Sequence, residues 1–388
     1  NITIEHDKTS ETHQADPFDV LRTYQATLAC KTTHPASGYL GGMIGFMSYD
    51  AIRLIEHLPN PHLNHRNTPD ILFRCYKSSL AFDKKTQQII LSTVVSIKPH
   101  QLKQSYRDAY LSLDKLQARL LAHQTQPMTK KNNPLPIHID TDDKTYCKRV
   151  EQAKHHVREG DVFQIVLSRN FSIKTKAQSF DIYQALSQSN PAPYQFYLEF
   201  DDQALAGTSP EKLISIQDGL IESRPLAGTR KRGTKPDPVL TDELLHDPKE
   251  LAEHVMLVDL ARNDLGRVSV PGSVRVTELK NILTCKAVLH LASTVEGRLR
   301  EDCDVFDALK ASFPAGTLSG APKIRAMELI DMLETTRRDL YGGVICAIDN
   351  KNNLESAIII RTACMQNGVA SVRAGAGIVH DSDPKAEA

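Results

Sequence analysis

The sequence predicts an α+β protein, in which helices alternate with the strands of antiparallel sheets. Near the end of the chain, three apolar segments rich in β-branched residues are separated by the short polar turns Asp349–Asn353 and Gln366–Gly368. Turns this short join neighbouring antiparallel strands, so we expect a meander. The three predicted strands are Tyr341–Ile348, Leu354–Met365 and Val369–Val379.

A clear helix start supports the helical part of this fold class. Asp247 can cap the helix, Pro248 occupies its first position, and Glu250 follows three residues after the cap. We expect this helix to extend to about Asn263.

The other elements follow from hydrophobic periodicity and from turn residues. Asp142 or Asp143 begins a helix that has one apolar face and ends at Gly160. Val162–Phe171 alternates as a strand. The remaining predictions are strands within Gly38–Tyr49, two strands in Ile71–Ile97 joined by a turn at Asp83–Gln88, and helices over Gln101–Leu121 and Phe180–Gln188.

The polar, proline-containing segment 123–137 is the best candidate for a linker. It divides the chain into a partial N-terminal domain, residues 1–122, and a larger second domain, residues 138–388. The chain begins with Asn1 instead of methionine, so we expect the native protein to start earlier.

The composition argues against several classes of protein. Lys plus Arg and Asp plus Glu both number 47 in 388 residues, so no overall positive field attracts a nucleic-acid backbone. No apolar run reaches the ~20 residues of a membrane helix, and the start lacks the features of a signal peptide. Seven scattered cysteines without a C-x-x-C pair favour reduced thiols. We therefore expect a cytoplasmic protein with neither nucleic-acid nor membrane partners.

Two carboxylates three residues apart, Glu250 and Glu253, lie on one face of the predicted helix. Carboxylates held side by side repel each other unless a cation lies between them, and oxygen ligands suit Mg²⁺. The same spacing is more common on solvated helices, where Glu250 would only complete a capping box. Spacing alone leaves both interpretations open.

Further residues are compatible with a site for a small anion. Arg361 lies in an apolar segment, where a buried charge needs an anion or an ion pair. Gly375 and Gly377 share one strand face and could offer N–H groups to a carboxylate, although a bulge explains them equally. The loop Gly316–Lys323 leads into a helix start. His290, in an apolar segment, is typical of a core histidine as well as of a base.

The segments around these residues resemble the chorismate-utilising enzyme family. The resemblance covers the chain from Thr141 to its end and, more weakly, Gly41–Leu58. The matching segments are SRPLAGTRKRG (Ser223–Gly233), KELAEHVMLVDLARNDLGRV (Lys249–Val268), VLHLASTVEGRL (Val288–Leu299), GTLSGAPKIRAMELI (Gly316–Ile330), YGGVICAID (Tyr341–Asp349), IIIRTA (Ile358–Ala363) and RAGAGIVHDSDPKAEA (Arg373–Ala388). The resemblance implies antiparallel sheets flanked by helices around one active-site cleft, with residues 138–388 as the chorismate-binding catalytic domain.

The resemblance also implies a metal site. In it, Glu250, Glu253 and Glu387 bind Mg²⁺, which holds the ring carboxylate of chorismate. Family members continue past this last glutamate with another one, whereas the chain stops at Ala388. Either the native protein continues beyond this point or its metal site has one carboxylate fewer.

Substrate-binding and catalytic roles are implied in the same way. The residues expected to bind chorismate are Thr229, Tyr341, Arg361, Gly375 and Gly377. The residues expected to act in catalysis are Glu250, His290 and Thr317. Glu250 would be the acid that assists loss of the 4-hydroxyl group, and His290 would assist the later loss of pyruvate.

Two positions favour one branch of the family, the anthranilate synthases. Family members that add water to the ring have a lysine where this chain has Gln164, which cannot act as a base. Aminodeoxychorismate synthases have a lysine nucleophile in a P-I-K-G-T motif, where this chain has Ala227. Free ammonia is therefore the expected nucleophile, and anthranilate and pyruvate are the expected products. Since no cysteine here lies in a G-x-C-x-G elbow, a separate glutamine amidotransferase subunit would supply the ammonia.

A possible feedback site completes the resemblance. Asn190, Pro193 and Tyr194 match an N-P-x-P-Y segment that forms part of a tryptophan site in anthranilate synthases, although a proline turn explains it as well. The other half of that site, an L-L-E-S segment, is absent from this sequence. The alternatives that stay open are an aminodeoxychorismate synthase, an enzyme that stops at aminodeoxyisochorismate, and a non-catalytic amino-acid-binding regulator.

Overall fold

The computed structural model describes residues 2–6, 9–28, 41–59, 62–95, 97, 100–122, 134–286 and 288–388. Most of the predicted linker 123–137 lies outside the described residues, as does the start of the glycine-rich segment at residues 38–40.

Helices account for the charged and amphipathic segments. Their bounds are α1 (Pro17–Leu28), α2 (Leu102–Ala122), α3 (Asp143–Arg158), α4 (Ser179–Ser189), α5 (Asp237–His246), α6 (Pro248–Gly266), α7 (Val305–Ser312), α8 (Gly316–Ser319), α9 (Lys323–Leu333) and α10 (Pro384–Glu387), with a 3₁₀ helix at Tyr49–Leu54. The two predicted N-caps are confirmed: Asp142 accepts a hydrogen bond from Thr145 N, and Asp247 accepts hydrogen bonds from Lys249 N and Glu250 N.

The strands are mostly short and carry the apolar, β-branched segments. Their bounds are β1 (Ile2–His6), β2 (Thr9–His13), β3 (Gly42–Met47), β4 (Ile71–Tyr76), β5 (Ser78–Asp83), β6 (Gln88–Thr93), β7 (His138–Ile139), β8 (Gln164–Lys174), β9 (Tyr194–Phe200), β10 (Gln203–Ser209), β11 (Lys212–Gln217), β12 (Leu220–Ser223), β13 (Leu226–Lys231), β14 (Arg275–Thr284), β15 (Val288–Arg298), β16 (Gly320–Ala321), β17 (Val344–Asp349), β18 (Leu354–Ile358), β19 (Thr362–Gln366) and β20 (Val369–Ile378).

Two large antiparallel sheets form the framework, which confirms the predicted α+β class. Within the described residues, one sheet has nine strands in the order β13-β15-β12-β11-β18-β17-β3-β4, with β14 added beside β15. The other has seven strands in the order β16-β8-β20-β19-β10-β9, with β7 added beside β8. An apolar cluster that includes Phe46, Leu205 and Ile345 packs β3 and β17 of the first sheet against β10 of the second. Helices α6 and α7 cover the nine-stranded sheet, and α3 and α9 cover the seven-stranded one.

The chain passes between the two sheets at two neighbouring places. It leaves β10 and enters β11 at residues 210–211, and it leaves β18 and enters β19 at residues 359–361. The crossings are bonded to the adjacent strands, because Ile358 N donates to Glu211 O (3.0 Å) and Thr208 N donates to Arg361 O (3.2 Å). The predicted single strand Leu354–Met365 is therefore wrong, and the predicted meander is divided between two sheets. Arg361 has a positive φ of 50°, which breaks the strand, and its side chain is exposed.

The region Ile71–Ile97 also differs from its prediction. It contains three strands instead of two, because β4 pairs with β3 and leaves β5 and β6 to form a separate hairpin. The polar turn at residues 84–87 is where it was predicted. Sequence periodicity could not separate β4 from β5, since a single residue, Lys77, divides them.

Strands from the predicted N-terminal domain are part of the nine-stranded sheet. Residues of β3 pair with β17 in antiparallel register, for example Met47 with Val344. The domain boundaries at residues 122 and 138 stay a prediction. Across the described residues, none of the helices has both the length and the apolar character that crossing a membrane requires.

A buried ion pair fastens the segment after α9 to the seven-stranded sheet. Glu334 and Arg338 are 3% and 4% exposed, and Arg338 Nη2 lies 2.7 Å from Glu334 Oε1. The same carboxylate accepts hydrogen bonds from Ser168 N (2.8 Å) and Ser168 Oγ (2.9 Å) on β8. Arg338 also donates to Val166 O and Leu318 O. Every oxygen and guanidinium nitrogen of the pair has a hydrogen-bond partner. Removal of either residue would therefore leave the other charge buried without its partner.

We expect Glu334→Ala to lower the free energy of unfolding by about 3–5 kcal/mol, because Arg338 would stay buried without its carboxylate. Unfolding in guanidinium chloride measures this difference. Glu159→Ala, at an exposed position after α3, is the control and should change the value by less than about 0.5 kcal/mol. A loss below about 1 kcal/mol at Glu334 would show that the pair does not hold this segment.

Candidate active site

Glu250 lies in the first turn of α6, beside the strand β13. Arg230 donates to Glu250 Oε1 (2.9 Å) and to Asp247 Oδ2 (2.6 Å), so the carboxylate of Glu250 is held by an arginine and not by the helix cap. Gly228, which has a φ of 68°, brings β13 close to the helix, since a Cβ at this position would lie 3.1 Å from Glu250 Oε2.

Glu253 lies one helical turn further on and faces β8. Gln164 Nε2 donates to Glu253 Oε1 at 2.9 Å. Burial raises the pKa of Glu253, and the nearby carboxylates of Glu250 and Glu387 raise it further. The structure therefore brings the three predicted metal ligands into one electrostatic neighbourhood, with Glu387 contributed by the short helix α10.

The fit of this group to a metal ion is partial. Among the residues that the structure describes, no three His, Cys, Asp or Glu side chains converge closely enough to form a metal site. Three carboxylates have the donor chemistry that Mg²⁺ prefers. Arg230 donates to Oε1 of Glu250 and Gln164 to Oε1 of Glu253, so each of these carboxylates already has one oxygen engaged.

The two predicted glycines of β20 line the same region. Gly375 pairs with Ser168 and Gly377 with Val166 across β8. A Cβ on Gly375 would lie 2.7 Å from both Leu167 O and the Tyr341 hydroxyl, and one on Gly377 would lie 2.5 Å from Gln164 Nε2. Only glycine fits there without moving these groups, which is why β20 can approach Gln164 and Tyr341 so closely.

His290 and Thr229 face each other on paired strands, β15 and β13. His290 Nδ1 lies 3.0 Å from Thr229 Oγ1 and 3.2 Å from Gly228 O. A carbonyl oxygen can only accept, so the Gly228 contact assigns the proton to Nδ1 and leaves Nε2 with a free lone pair. Nε2 is buried without a hydrogen-bond partner. Burial lowers the pKa of His290, and the charge of Arg361 lowers it too, which favours the neutral imidazole of a base.

Glu211 and Arg361 occupy the two crossings between the sheets. Thr317 Oγ1, in α8, donates to Glu211 Oε1 at 3.0 Å. Burial raises the pKa of Glu211 to about 7, against the opposing effects of the Thr317 hydroxyl and of Arg361. The charge of Arg361 lowers the pKa values of both Glu211 and His290.

Sequence reasoning missed Glu211. The available signal was weak: one glutamate after Ser209 and Pro210, between two apolar strands. Proline and a charge between strands are also typical of an ordinary loop, so the crossing could only be recognised from the tertiary structure. In the loop that leads into α9, Lys323 Nζ pairs with Asp264 Oδ2 (2.7 Å) of α6, and an anion at the start of this helix stays a prediction.

The predicted tryptophan-binding residues lie elsewhere in the seven-stranded sheet. Asn190 follows the last residue of α4, and Tyr194 begins β9, which β10 and β19 separate from β20. The Tyr194 hydroxyl donates to Glu355 Oε1 at 2.8 Å. This segment, which includes Pro193, is not brought together with the carboxylates, and its regulatory role stays a prediction.

Comparison with known proteins gives the family. The model of the chorismate binding enzyme family matches residues 1–388. Anthranilate synthase component 1 of Acetivibrio thermocellus is 39% identical over 383 residues, which cover 96% of this chain and 77% of that protein. Aminodeoxychorismate synthase component 1 of Bacillus subtilis (strain 168) is 39% identical over 395 residues, which cover 99% and 82%.

A solved structure extends the likeness to the fold. The crystal structure of anthranilate synthase component I from Streptococcus pneumoniae TIGR4 superposes with a TM-score of 0.83 at 37% sequence identity, and the match covers 95% of this chain and 82% of that one. Sequence and fold therefore agree with the resemblance inferred from the motifs, and the chain belongs to the family of chorismate binding enzymes.

Proposed function

We propose that this chorismate-utilising enzyme aminates chorismate with ammonia and releases pyruvate, and so forms anthranilate for tryptophan biosynthesis. The observation that carries the proposal is the environment of Gln164. Its Nε2 donates to Glu253, which fixes the orientation of the amide, and its buried Oε1 has no hydrogen-bond partner. An unpartnered acceptor is matched by a molecule with N–H or O–H groups, and an amide cannot take a proton from water, which disfavours water as the nucleophile.

Ala227 supports ammonia as the nucleophile in a second way. It is 8% exposed, lies in β13 opposite Leu291, and carries no amine that could attack the ring. Two of the similar proteins are named as component 1, and the name implies a second component. We infer that a glutamine amidotransferase subunit is this partner and supplies ammonia.

Glu211 is the residue that we propose as the acid in the first step. At neutral pH a carboxyl group whose pKa is raised to about 7 is partly protonated and can donate to the departing 4-hydroxyl group. Glu250, which the resemblance favoured for this role, is engaged by Arg230. We therefore assign the acid to Glu211, with Thr317 orienting it, and retain Glu250 as a metal ligand.

His290 is assigned to the second step. Its unprotonated Nε2 can accept the ring proton at C2, while the enolpyruvyl group leaves, takes up a proton and becomes pyruvate. Chorismate and ammonia thus give anthranilate, pyruvate and water. Arg361, whose charge lowers the pKa values of both His290 and Glu211, is proposed to neutralise the enolpyruvyl carboxylate. Thr229, Tyr341 and the backbone of Gly375 and Gly377 are proposed as the other groups that bind chorismate.

Mg²⁺ is proposed as the cofactor, held by Glu250, Glu253 and Glu387. Mutual repulsion among these carboxylates is relieved by a divalent cation. When bound, the ion supplies positive charge for the ring carboxylate of chorismate. The roles proposed for Glu211, His290 and Arg361 are argued from the protein side chains alone.

A second candidate function is aminodeoxychorismate synthesis, favoured by the 39% identity to the Bacillus subtilis enzyme over 99% of this chain. Both reactions begin with chorismate and introduce nitrogen on its ring. They differ in the ring position that is aminated and in whether pyruvate is released, so the products decide between them.

The purified chain with chorismate, Mg²⁺ and an ammonium salt at alkaline pH should yield anthranilate and pyruvate in equal amounts. Ammonia is the expected nucleophile because position 164 has no base and position 227 has no amine. Fluorescence and mass analysis identify the products, and a reaction without ammonium is the control. An aminated product without pyruvate would assign the chain to a sister enzyme, and isochorismate would overturn the assignment of the nucleophile.

Glu211→Gln should lower kcat by at least about 10²-fold, because the amide cannot donate the acid proton. At a fixed concentration of free ammonia, the wild-type rate should fall as the pH rises through about 7, since the protonated carboxyl is the active form. This limb should be absent from the variant. Glu222→Gln, at a half-buried glutamate paired with Lys212, is the control. An unchanged kcat and pH profile in Glu211→Gln would return the role to Glu250.

Glu253→Gln should weaken Mg²⁺ binding by at least about tenfold, because it removes one of three anionic ligands. Calorimetric titration without substrate measures this directly. The raised pKa of Glu253 predicts that wild-type affinity increases with pH, since Mg²⁺ binds the ionised carboxylate. Glu243→Gln, on α5, should bind Mg²⁺ like the wild type. Equal affinity in both variants would remove Glu253 from the site.

A further inference from the structure

The buried face of α6 contains one polar side chain. The structure describes this helix along its whole length, and four of its five buried residues are apolar: Leu257, Val258, Ala261 and Leu265. The fifth is His254, which is 0% exposed. Glu250 lies about one helical turn before His254, and Glu253 is its neighbour in the sequence. A buried imidazole therefore accompanies the two proposed metal ligands of this helix.

His254 contacts a polar group of the sheet on which α6 packs. Its Nε2 lies 2.6 Å from Ser293 Oγ in β15, and Ser293 is also 0% exposed. Ser293 Oγ accepts a second hydrogen bond from Lys280 N (3.0 Å), at a place where the register of β14 on β15 shifts. One buried hydroxyl group thus connects the helix to two neighbouring strands.

Stability alone does not account for a histidine at this position. Its Nδ1 is buried without a hydrogen-bond partner among the described residues, so Ser293 is the polar contact on which the imidazole depends. An unsatisfied buried polar atom is unfavourable, and replacement of a buried polar pair by apolar groups of similar shape is nearly neutral or stabilising. What histidine adds to this otherwise apolar face is a directional contact.

Direction matters because apolar packing responds to buried area and does not select one orientation. A hydrogen bond requires a short distance and a defined angle, so the contact with Ser293 restricts how α6 can rotate or slide on β15. β15 also carries His290, three residues earlier and on the opposite strand face. The same contact therefore relates the helix that bears Glu250 and Glu253 to the strand that bears His290.

We propose that His254 is a positioning residue, which through Ser293 holds α6 where Glu250 and Glu253 can bind one divalent cation. The inference rests on the metal site proposed above. Without this contact the helix could rotate or slide on its apolar neighbours, and the two carboxylates would lose their common orientation. Residues that orient metal ligands typically change the metal affinity by about 10- to 100-fold when they are replaced.

Calorimetric titration of the whole chain with Mg²⁺, without substrate, tests this role. His254→Leu should weaken Mg²⁺ binding at least about tenfold, because leucine fills the space but cannot form the hydrogen bond. Its thermal midpoint should equal or exceed that of the wild type, whereas loss of a histidine that serves only stability would lower the midpoint. His155→Leu, at an exposed histidine in the last turn of α3, is the matched control and should bind like the wild type.

Two further variants test whether the effect passes through Ser293. Ser293→Ala should weaken Mg²⁺ binding about as much as His254→Leu, and the double variant should lose no more than either single variant, because both changes remove the same contact. His254→Gln should recover most of the affinity, since its amide can again offer a polar atom to Ser293 Oγ. Equal losses in His254→Gln and His254→Leu would overturn the role of the hydrogen bond.

Glu253→Gln, titrated in parallel, distinguishes failure of this inference from failure of the metal site. If Glu253→Gln weakens Mg²⁺ binding while His254→Leu and Ser293→Ala bind like the wild type, the positioning role is overturned and the metal site stands. If Glu253→Gln itself binds Mg²⁺ like the wild type, the metal site is wrong and the inference that rests on it is overturned as well.

Discussion

The two crossings between the antiparallel sheets determine where every other part of the site can lie. A strand that leaves one sheet for another must break its hydrogen-bond ladder, and the freed backbone groups need new partners. Here each crossing accepts a hydrogen bond from a strand that adjoins the other crossing. Ile358 N, at the end of β18, donates to Glu211 O, and Thr208 N, in β10, donates to Arg361 O. The left-handed backbone of Arg361 turns the chain at this point. The carboxyl group of Glu211 and the guanidinium group of Arg361 are thereby placed at the two neighbouring crossings.

Around this junction the protein concentrates charges that are unfavourable by themselves. Burial raises the pKa values of Glu211 and Glu253 and lowers that of His290, so each group is shifted toward its neutral form. Such shifts are characteristic of sites where protons or charged ligands are exchanged. The buried pair of Glu334 and Arg338, by contrast, is fully hydrogen-bonded, which is what a structural ion pair requires.

Local patterns predicted local structure well. The helix cap at Asp247 and the position of Glu250 and Glu253 on one helix face could be predicted from the sequence, because helix geometry is fixed by a few neighbouring residues. The resemblance to the family, not the spacing, supplied the link from these glutamates to Glu387. Three features depend on contacts between distant segments and could not be predicted: the break at Arg361, the burial of Glu211 and the contact of Arg230 with Glu250. Residue propensities predict that a segment forms a strand, but they do not predict which sheet that strand joins.

The close approach of Gly377 to the Gln164 amide couples the side chain at position 164 to the backbone surface of β20 beside it. Any side chain at position 377 would meet the amide nitrogen at 2.5 Å and displace it from Glu253. Likewise, a longer side chain at position 164 has to extend past Gly377, where there is no room for a Cβ atom beside the Gln164 amide. A change of nucleophile by substitution at position 164 would therefore also disturb the surface next to it. Altered specificity in this scaffold should come from compensating pairs of substitutions more readily than from single ones.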